Sequence, residues 1–359
     1  MLELTDRVVP VLGFLLCITV VADVADRAGL FDLLARWTAR VAHGRVVVLW
    51  LLVVLVSTGS VAVLSLDTAA VLLTPVVIVV ARLMSVNPAL LAWTTVWLAN
   101  TASLFLPVSN LTNLIAMGHL GTGTRGFVAV LWLPAVVSVL VTVAGLAVVF
   151  RRDLVHAEPL VALPDREPVN RPLLLVTAIT CVALVPALAA GVDVSLVAAV
   201  AALVCVLAAL RWRPELLSPR MVPWWMIIGV AVLFTVVQAL HAYGLTRWLI
   251  TAAGAGESWA DLLRLAGVAA VSANLINNLP AYLALEPAAT SPLRVGALLI
   301  GVNAGPLITP WASLATLLWA SRCRSAGLPV PWGTFALRGL VLVVALMLTC
   351  VTALWLIGY

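Results

Sequence analysis

The chain has 359 residues, 64% of them hydrophobic and 10% charged, with a mean hydropathy of +1.18, which excludes a soluble globular domain. Its net charge of +5 comes from arginine alone, with no lysine, and in so apolar a chain it reports orientation in a membrane and not affinity for nucleic acid. Apolar runs of about 17–25 residues, the length that crosses a hydrocarbon core of roughly 30 Å, recur from end to end and predict an all-α polytopic protein of the cell (plasma or inner) membrane. Cys17, Cys181, Cys205, Cys323 and Cys350 stand singly, with no CxxC and no nearby His pair. They read as small core residues, and no metal or cofactor is expected.

The first span is predicted over Val8 to Ala25, with no cleavage site after it that would make it a signal peptide. Asp23 and Arg27 are spaced to pair across one helical turn. Gly29 to His43 interleaves Phe31, Leu33, Leu34 and Trp37 with arginines, as an interfacial helix does. Val46 to Leu64 is apolar and gives way to Ser65, Asp67 and Thr68 before Ala69 to Leu83 resumes. That pattern fits a re-entrant hairpin over 46–83 whose ends share one side, the alternative being two full spans. From Ala89 to Met117 a single helix cannot persist. Asn100, Thr101, Ser103, Ser109, Asn110, Thr112 and Asn113 cluster around Pro107, and freed backbone groups in a bilayer are tolerated only in protein or beside a wet cavity. A full span follows from Phe127 to Phe150, then a polar connector from Arg151 to Arg171.

Leu173 to Ala190 and Val194 to Leu210 form two plain spans, and Pro223 to Ala242 crosses again. The earlier order then returns. An apolar run reaches Ser272, Asn274, Asn277, Asn278 and Pro280, giving a second hairpin over 259–286; a second broken helix, 295–320, holds Asn303, Pro306, Thr309, Pro310, Ser313 and Thr316; a last span runs from Thr334 to Leu356. Residues 1–150 thus form one repeat, 151–171 a cytoplasmic loop, and 172–359 a second repeat preceded by two extra spans. Tracing sides puts about fifteen arginines on one face, which is then the cytoplasm. The first hairpin enters from that face and the second from outside. The repeats are therefore inverted, and both polar tips meet near the midplane beside both breaks.

Four stretches, Ser65-Leu66-Asp67-Thr68 through Pro75, Ala99-Asn100-Thr101-Ala102-Ser103 through Asn113, Asn277-Asn278-Leu279-Pro280, and Gly305-Pro306-Leu307-Ile308-Thr309-Pro310 through Trp319, resemble the arsenite and antimonite permeases of the ArsB type. That family lies in the ion transporter superfamily, with sodium-coupled carboxylate symporters and sodium/proton antiporters. The resemblance covers nearly the whole chain, although family members usually begin with further spans and often carry Asn-Asp where this sequence has Leu66-Asp67. It implies a scaffold that forms a homodimer and a transport domain of hairpins and broken helices moving between the two faces.

The residues themselves mark a substrate and ion site made of Ser65, Asp67, Thr68, Asn100, Thr101, Ser103, Ser109, Asn110, Thr112, Asn113, Ser272, Asn274, Asn277, Asn278, Asn303, Thr309, Ser313 and Thr316. Amides and hydroxyls that both donate and accept suit arsenite, a neutral trihydroxyl molecule at pH 7, whereas a dicarboxylate would be better served by a cationic clamp. Helix N-termini alone can hold an anion, so a carboxylate or oxyanion symporter and a sodium/proton antiporter stay open. Asp67 is the one ionisable side chain in these stretches, which makes it the candidate carrier of a coupling proton; the rival reading keeps it ionised, binding sodium or capping a helix. Ser57, Thr58, Ser138 and Thr142 read as structural, His43, His119, His156 and His241 as interfacial, and Trp212, Trp224 and Trp332 as headgroup-belt residues. A membrane-embedded hydrolase would need an acid pair, a Ser and His pair or a metal set, none of which is found, so the chain is not expected to be an enzyme. No nucleotide-binding motif occurs, so ATP-driven action would require a separate ATPase subunit.

Overall fold

The computed structural model describes residues 2–120, 123–155, 170–189, 192–218 and 246–358, with only scattered positions between them from 219 to 245. The predicted span Pro223 to Ala242 and most of the connector after Arg151, with His156 and His241, lie outside the described residues. Among those described, the chain is helical throughout, and 46–64, 66–83, 123–149, 195–212 and 332–357 are long and apolar enough to cross a membrane.

The first repeat opens with α1 (Leu2–Arg27) and the amphipathic α2 (Leu30–Ala42). Asp23 and Arg27 form the expected i,i+4 pair at 2.9 Å. On α2, Phe31, Thr38 and Ala42 are buried, and the helix packs on the hairpin made by α3 (Val46–Leu64) and α4 (Leu66–Leu83). Leu33, Trp37 and Val41 stay exposed, as an interfacial helix requires. The broken helix runs as α5 (Pro88–Thr101), two 3-10 turns at Ala102–Leu104 and Pro107–Ser109, and α6 (Leu111–Met117). It is followed by the span α7 (Gly123–Val149) and the short α8 (Arg151–Val155). Pro107 starts the second 3-10 turn, where its missing N–H leaves no gap.

The plain pair α9 (Arg171–Ala189) and α10 (Val194–Trp212) packs together, and α10 packs along α1. After the short α11 (Arg247–Ala253), the second hairpin is α12 (Trp259–Leu275) and α13 (Asn278–Leu285). The second broken helix is α14 (Pro292–Ala304) and α15 (Leu314–Ser325), and the closing span is α16 (Trp332–Ile357). The order of hairpin, broken helix and span is thus found twice. The closing spans α7 and α16 pack against each other, and each repeat's first half-helix packs on its own hairpin and span. In the second repeat this packing is close. A Cβ on Gly301 or Gly305 would overlap Ala266, Ala269 or Ala270 of α12, so only glycine permits this approach.

Two straps cross between repeats. Arg82, at the outgoing end of the first hairpin, donates from Nη2 to the carbonyl of Ala326 just past α15, at 2.5 Å. His119, just past α6, sits with Nε2 2.6 Å from Glu286 Oε1 at the outgoing end of the second hairpin. Each hairpin is therefore tied to the far end of the other repeat's broken helix. Trp332, expected in a headgroup belt, instead packs edge-on against Trp319 and Phe335 in an aromatic cluster that also holds Trp93, Trp97 and Phe150. All five cysteines are free, four of them buried, as their isolated positions imply.

Candidate functional site

Both hairpins turn on a single residue held in a conformation that side chains rarely adopt: Ser65 at φ 93, ψ 157 and Asn277 at φ 143, ψ 157. Each of these backbones costs about 1–3 kcal/mol, and such strain gathers where the surrounding structure over-determines it. Both residues are also helix caps. Ser65 Oγ accepts from the Thr68 N–H at 3.4 Å and donates to Thr68 Oγ1 at 3.2 Å. Asn277 Oδ1 accepts from the Leu279 N–H at 3.3 Å, while its Nδ2 donates to the Trp311 carbonyl at 2.8 Å.

The two tips face one cavity of about 100 Å³, lined by Ser65, Leu66, Asp67, Val108, Asn110, Asn277 and Asn278 with Phe14 and Ile18 of α1 and leucines of the two breaks. The two tips thus meet at one cavity, the arrangement expected of paired hairpins, and each arm of the first is itself long and apolar enough to cross a membrane. The cavity has room for a solute of a few heavy atoms or several waters. Among the described residues its lining carries one carboxyl, Asp67, and no arginine or histidine. Asp67 stands in the first turn of α4, and its Oδ1 is buried with no partner among the described residues.

Behind the cavity, Asn303 of α14 joins the repeats. Its Oδ1 accepts from Asn110 Nδ2 at 2.7 Å and Thr112 Oγ1 at 2.9 Å, and its Nδ2 donates to Asn113 Oδ1 at 2.5 Å. Asn113 Nδ2 donates in turn to the carbonyls of Ser103 (2.6 Å) and Leu106 (3.1 Å), the latter also accepting from the Ser109 N–H at 3.1 Å. Asn274 serves the second break in the same way. Its Nδ2 donates to the Ala270 and Gly305 carbonyls, both at 2.8 Å, and its Oδ1 accepts from the N–H groups of Ile308 (3.2 Å) and Thr309 (3.1 Å). For the Ser103 carbonyl and the Ile308 and Thr309 N–H groups these amides replace the helical partners that the breaks remove.

The remaining residues of the sequence-derived set are dispersed. Asn100, Thr101 and Ser103 bond back to the carbonyls of Val96, Trp97 and Asn100 at 3.0, 2.8 and 2.6 Å. Ser109 donates to Ala62 of the hairpin arm at 3.3 Å, and Thr309 Oγ1 to the Asn274 carbonyl at 2.8 Å. Ser272, Ser313 and Thr316 are buried and do not line the cavity. Ser138 and Thr142, read as structural, do bond to backbone, at Thr101 O (3.1 Å) and Ser138 O (2.7 Å), whereas Ser57 Oγ and Thr58 Oγ1 have no partner among the described residues. The apolar liners Phe14, Ile18 and Leu114 carry no signal in an apolar sequence. Among the described residues no three His, Cys, Asp or Glu side chains converge as a metal site would need.

With this arrangement in view, comparison with known proteins is decisive at the level of family: the family described as Citrate transporter matches residues 5–296. The chain belongs to the citrate transporter family. Within reach of this citrate transporter family member, the arsenical pump membrane proteins of Escherichia coli (strain K12) and Shigella flexneri are each 27% identical over 364 residues, covering 94% of this chain and 84% of theirs. The 46 kDa membrane protein of Mycobacterium leprae (strain TN) is 26% identical over 373 residues, covering 96% and 86%. Among solved structures, the Alcanivorax borkumensis YdaH transporter superposes with a TM-score of 0.61 at 18% identity, covering 98% of this chain and 86% of that one, a likeness of fold. The chain is a multi-pass membrane transporter, as the inverted repeats imply.

Proposed function

We propose that this transporter exports arsenite or antimonite in exchange for protons, with Asp67 carrying the proton. The observation that supports the reading is the chemistry of the cavity: amides, hydroxyls and one carboxyl from the hairpin tips and the first break, with no cationic side chain among the described residues of the lining. A neutral trihydroxyl solute matches groups that both donate and accept, and a cavity of about 100 Å³ is small for a tricarboxylate. The arsenical pump relatives, matched along nearly the whole chain, point the same way. On this reading the hairpins and their half-helices move against a scaffold of spans in a homodimer, and any ATPase is a separate subunit.

Exchange of a neutral molecule for a proton carries one charge inward and gains about 2.3 kcal/mol per 100 mV of membrane potential. Asp67→Asn keeps shape and hydrogen bonding but cannot titrate. In everted vesicles with an acid interior, the parent is expected to concentrate arsenite and the Asn variant only to equilibrate it. Concentrative uptake by Asp67→Asn at the parent level would remove Asp67 from the mechanism. The second reading, a carboxylate or oxyanion symporter, rests on α4 and α13 both starting at the cavity, where helix N-termini favour an anion. Sodium/proton exchange is the third. Growth of a sensitive host on arsenite, on citrate and in high sodium separates the three.

A further inference from the structure

Arg338 is the one charged residue of the closing span α16. Its depth follows from how α16 packs on α7. A Cβ on Gly145 of α7 would stand 3.1 Å from Leu342 Cδ1 of α16, and to one side of that contact Phe150 and Phe335 both pack on Trp93, at ring distances of 5.7 and 5.4 Å. The two spans therefore run in opposite directions. Four residues along each from the Gly145–Leu342 contact, about 6 Å, Val149 and Arg338 stand level, so Arg338 sits where α7 ends and the arginines of α8 begin. With 26 residues, α16 is about 39 Å long, about 9 Å more than the hydrocarbon it crosses, so a residue about 9 Å from its start lies near the boundary. Side chains of a helix lean toward its N-terminus, which carries this guanidinium out to the level of the headgroups, on the face that the arginine surplus marks as cytoplasmic.

The guanidinium is anchored there but not neutralised. Its Cζ lies 5.5 Å from the centroid of Trp93, a buried ring that Trp97 also holds, at 5.4 Å. Contact with an aromatic face attracts a cation but offers its N–H groups no acceptor. Among the described residues the Arg338 side chain has no hydrogen bond and no ion pair. Arg151, next in the chain to Phe150, is exposed and its side chain likewise has neither. The carboxylate nearest in the chain, Asp153, accepts instead from Asn87 Nδ2 at 2.9 Å.

A planar cation with unused donors, fixed at the depth of the lipid phosphates, calls for an anion that resides at that depth. A phosphodiester accepts two N–H groups of one guanidinium at once, and it brings acyl chains with it. Apolar surface for those chains lies beside the cation: Leu337, Val341 and Val344 of α16 are 66%, 67% and 51% exposed, and Leu140 and Val148 of α7 are 61% and 70% exposed. We propose that the cytoplasmic seam of α7 and α16 binds one anionic phospholipid, its phosphate held by Arg338 with Arg151 and its chains lying on the exposed stripes of the two spans. Two arginines with no acid engaged favour a head of net negative charge over a zwitterionic one. The site is separate from the cavity at the hairpin tips, since none of these residues lines it. A lipid bound there spans the join between the repeats, because α7 closes the first and α16 the second, and the stability of that join then depends on the composition of the membrane.

The test uses the purified, delipidated full-length protein in a non-ionic detergent, with thermal unfolding followed in added phosphatidylglycerol and in phosphatidylcholine of the same chains at equal mole fraction. Phosphatidylglycerol is expected to raise the parent Tm saturably by several degrees over phosphatidylcholine, because a ligand bound to the folded state alone stabilises it. Arg338→Gln should abolish that difference, and Arg338→Lys, which keeps the charge but not the planar fork, should reduce it. Arg151→Gln, at an exposed position that folding does not need, should weaken the apparent affinity severalfold and serves if the Arg338 variants fail to fold. Arg324→Gln, which removes an arginine of the same face away from the seam, should respond as the parent does. A parent that unfolds alike in the two lipids would overturn the proposal, as would an undiminished response in Arg338→Gln or in Arg151→Gln. An equal loss in Arg324→Gln would overturn it in favour of diffuse surface charge, and an equal gain from inorganic phosphate in favour of a site for free anions. No arm measures arsenite, so the outcome is independent of the cargo reading.

Discussion

Asn274→Ala is the sharpest test of how the second break is held in a membrane. The amide of Asn274 serves the Gly305 carbonyl, which also accepts from the Leu307 N–H at 2.8 Å, and the half-buried N–H groups of Ile308 and Thr309, two donors that the break deprives of helical partners. At about 1–3 kcal/mol for each of the two donors left unsatisfied, the loss is about 2–6 kcal/mol before relaxation, a large fraction of the stability of an ordinary domain. Asn274→Asp keeps the acceptor for the two N–H groups and loses only the donor to Gly305 and Ala270, so it should fall between parent and Ala. Thermal unfolding of the three proteins in detergent should rank them parent, Asp, Ala, with Ala inserted in membranes at reduced yield. An Ala variant that unfolds with the parent would refute the claim that this side chain holds the break.

Asn277→Gly should separate strain from chemistry: glycine accepts φ 143 freely, so the variant should unfold at or above the parent temperature yet lose transport with the cavity amide. Asn110→Leu removes the donor 2.7 Å from Asn303 Oδ1 and places bulk in the cavity; vesicle uptake should vanish at parental protein levels, and parental uptake would put the cargo elsewhere. For orientation, an impermeant thiol reagent should label Ser325→Cys only from the cytoplasm and Glu257→Cys only from outside, and labelling of both from one side would contradict the inverted arrangement.

The hairpins and breaks were legible because an amide or hydroxyl is costly in an apolar run, so its presence there already carries meaning. The first break lies between α5, Pro88–Thr101, and α6, Leu111–Met117, around the proline and the amides that mark it in the sequence. Partnerships were not legible. Asn100, Thr101 and Ser103 look like Asn110 and Asn113 in sequence, yet their donors return to their own helix, since a short side chain three or four residues on reaches a carbonyl wherever the helix continues. The strained turns at Ser65 and Asn277 left no mark either. Neither is glycine, and the conformation is imposed by capping and by the opposing elements.

The crossed straps have a consequence for ancestry. Because Arg82 reaches Ala326 and Glu286 reaches His119, each half of the molecule is completed at its periphery by the other. A half-length forebear built like either repeat would have lacked one side of both straps and the whole partner face of its closing span. The contact between the closing spans and the two straps would have had to come from a second, oppositely oriented copy.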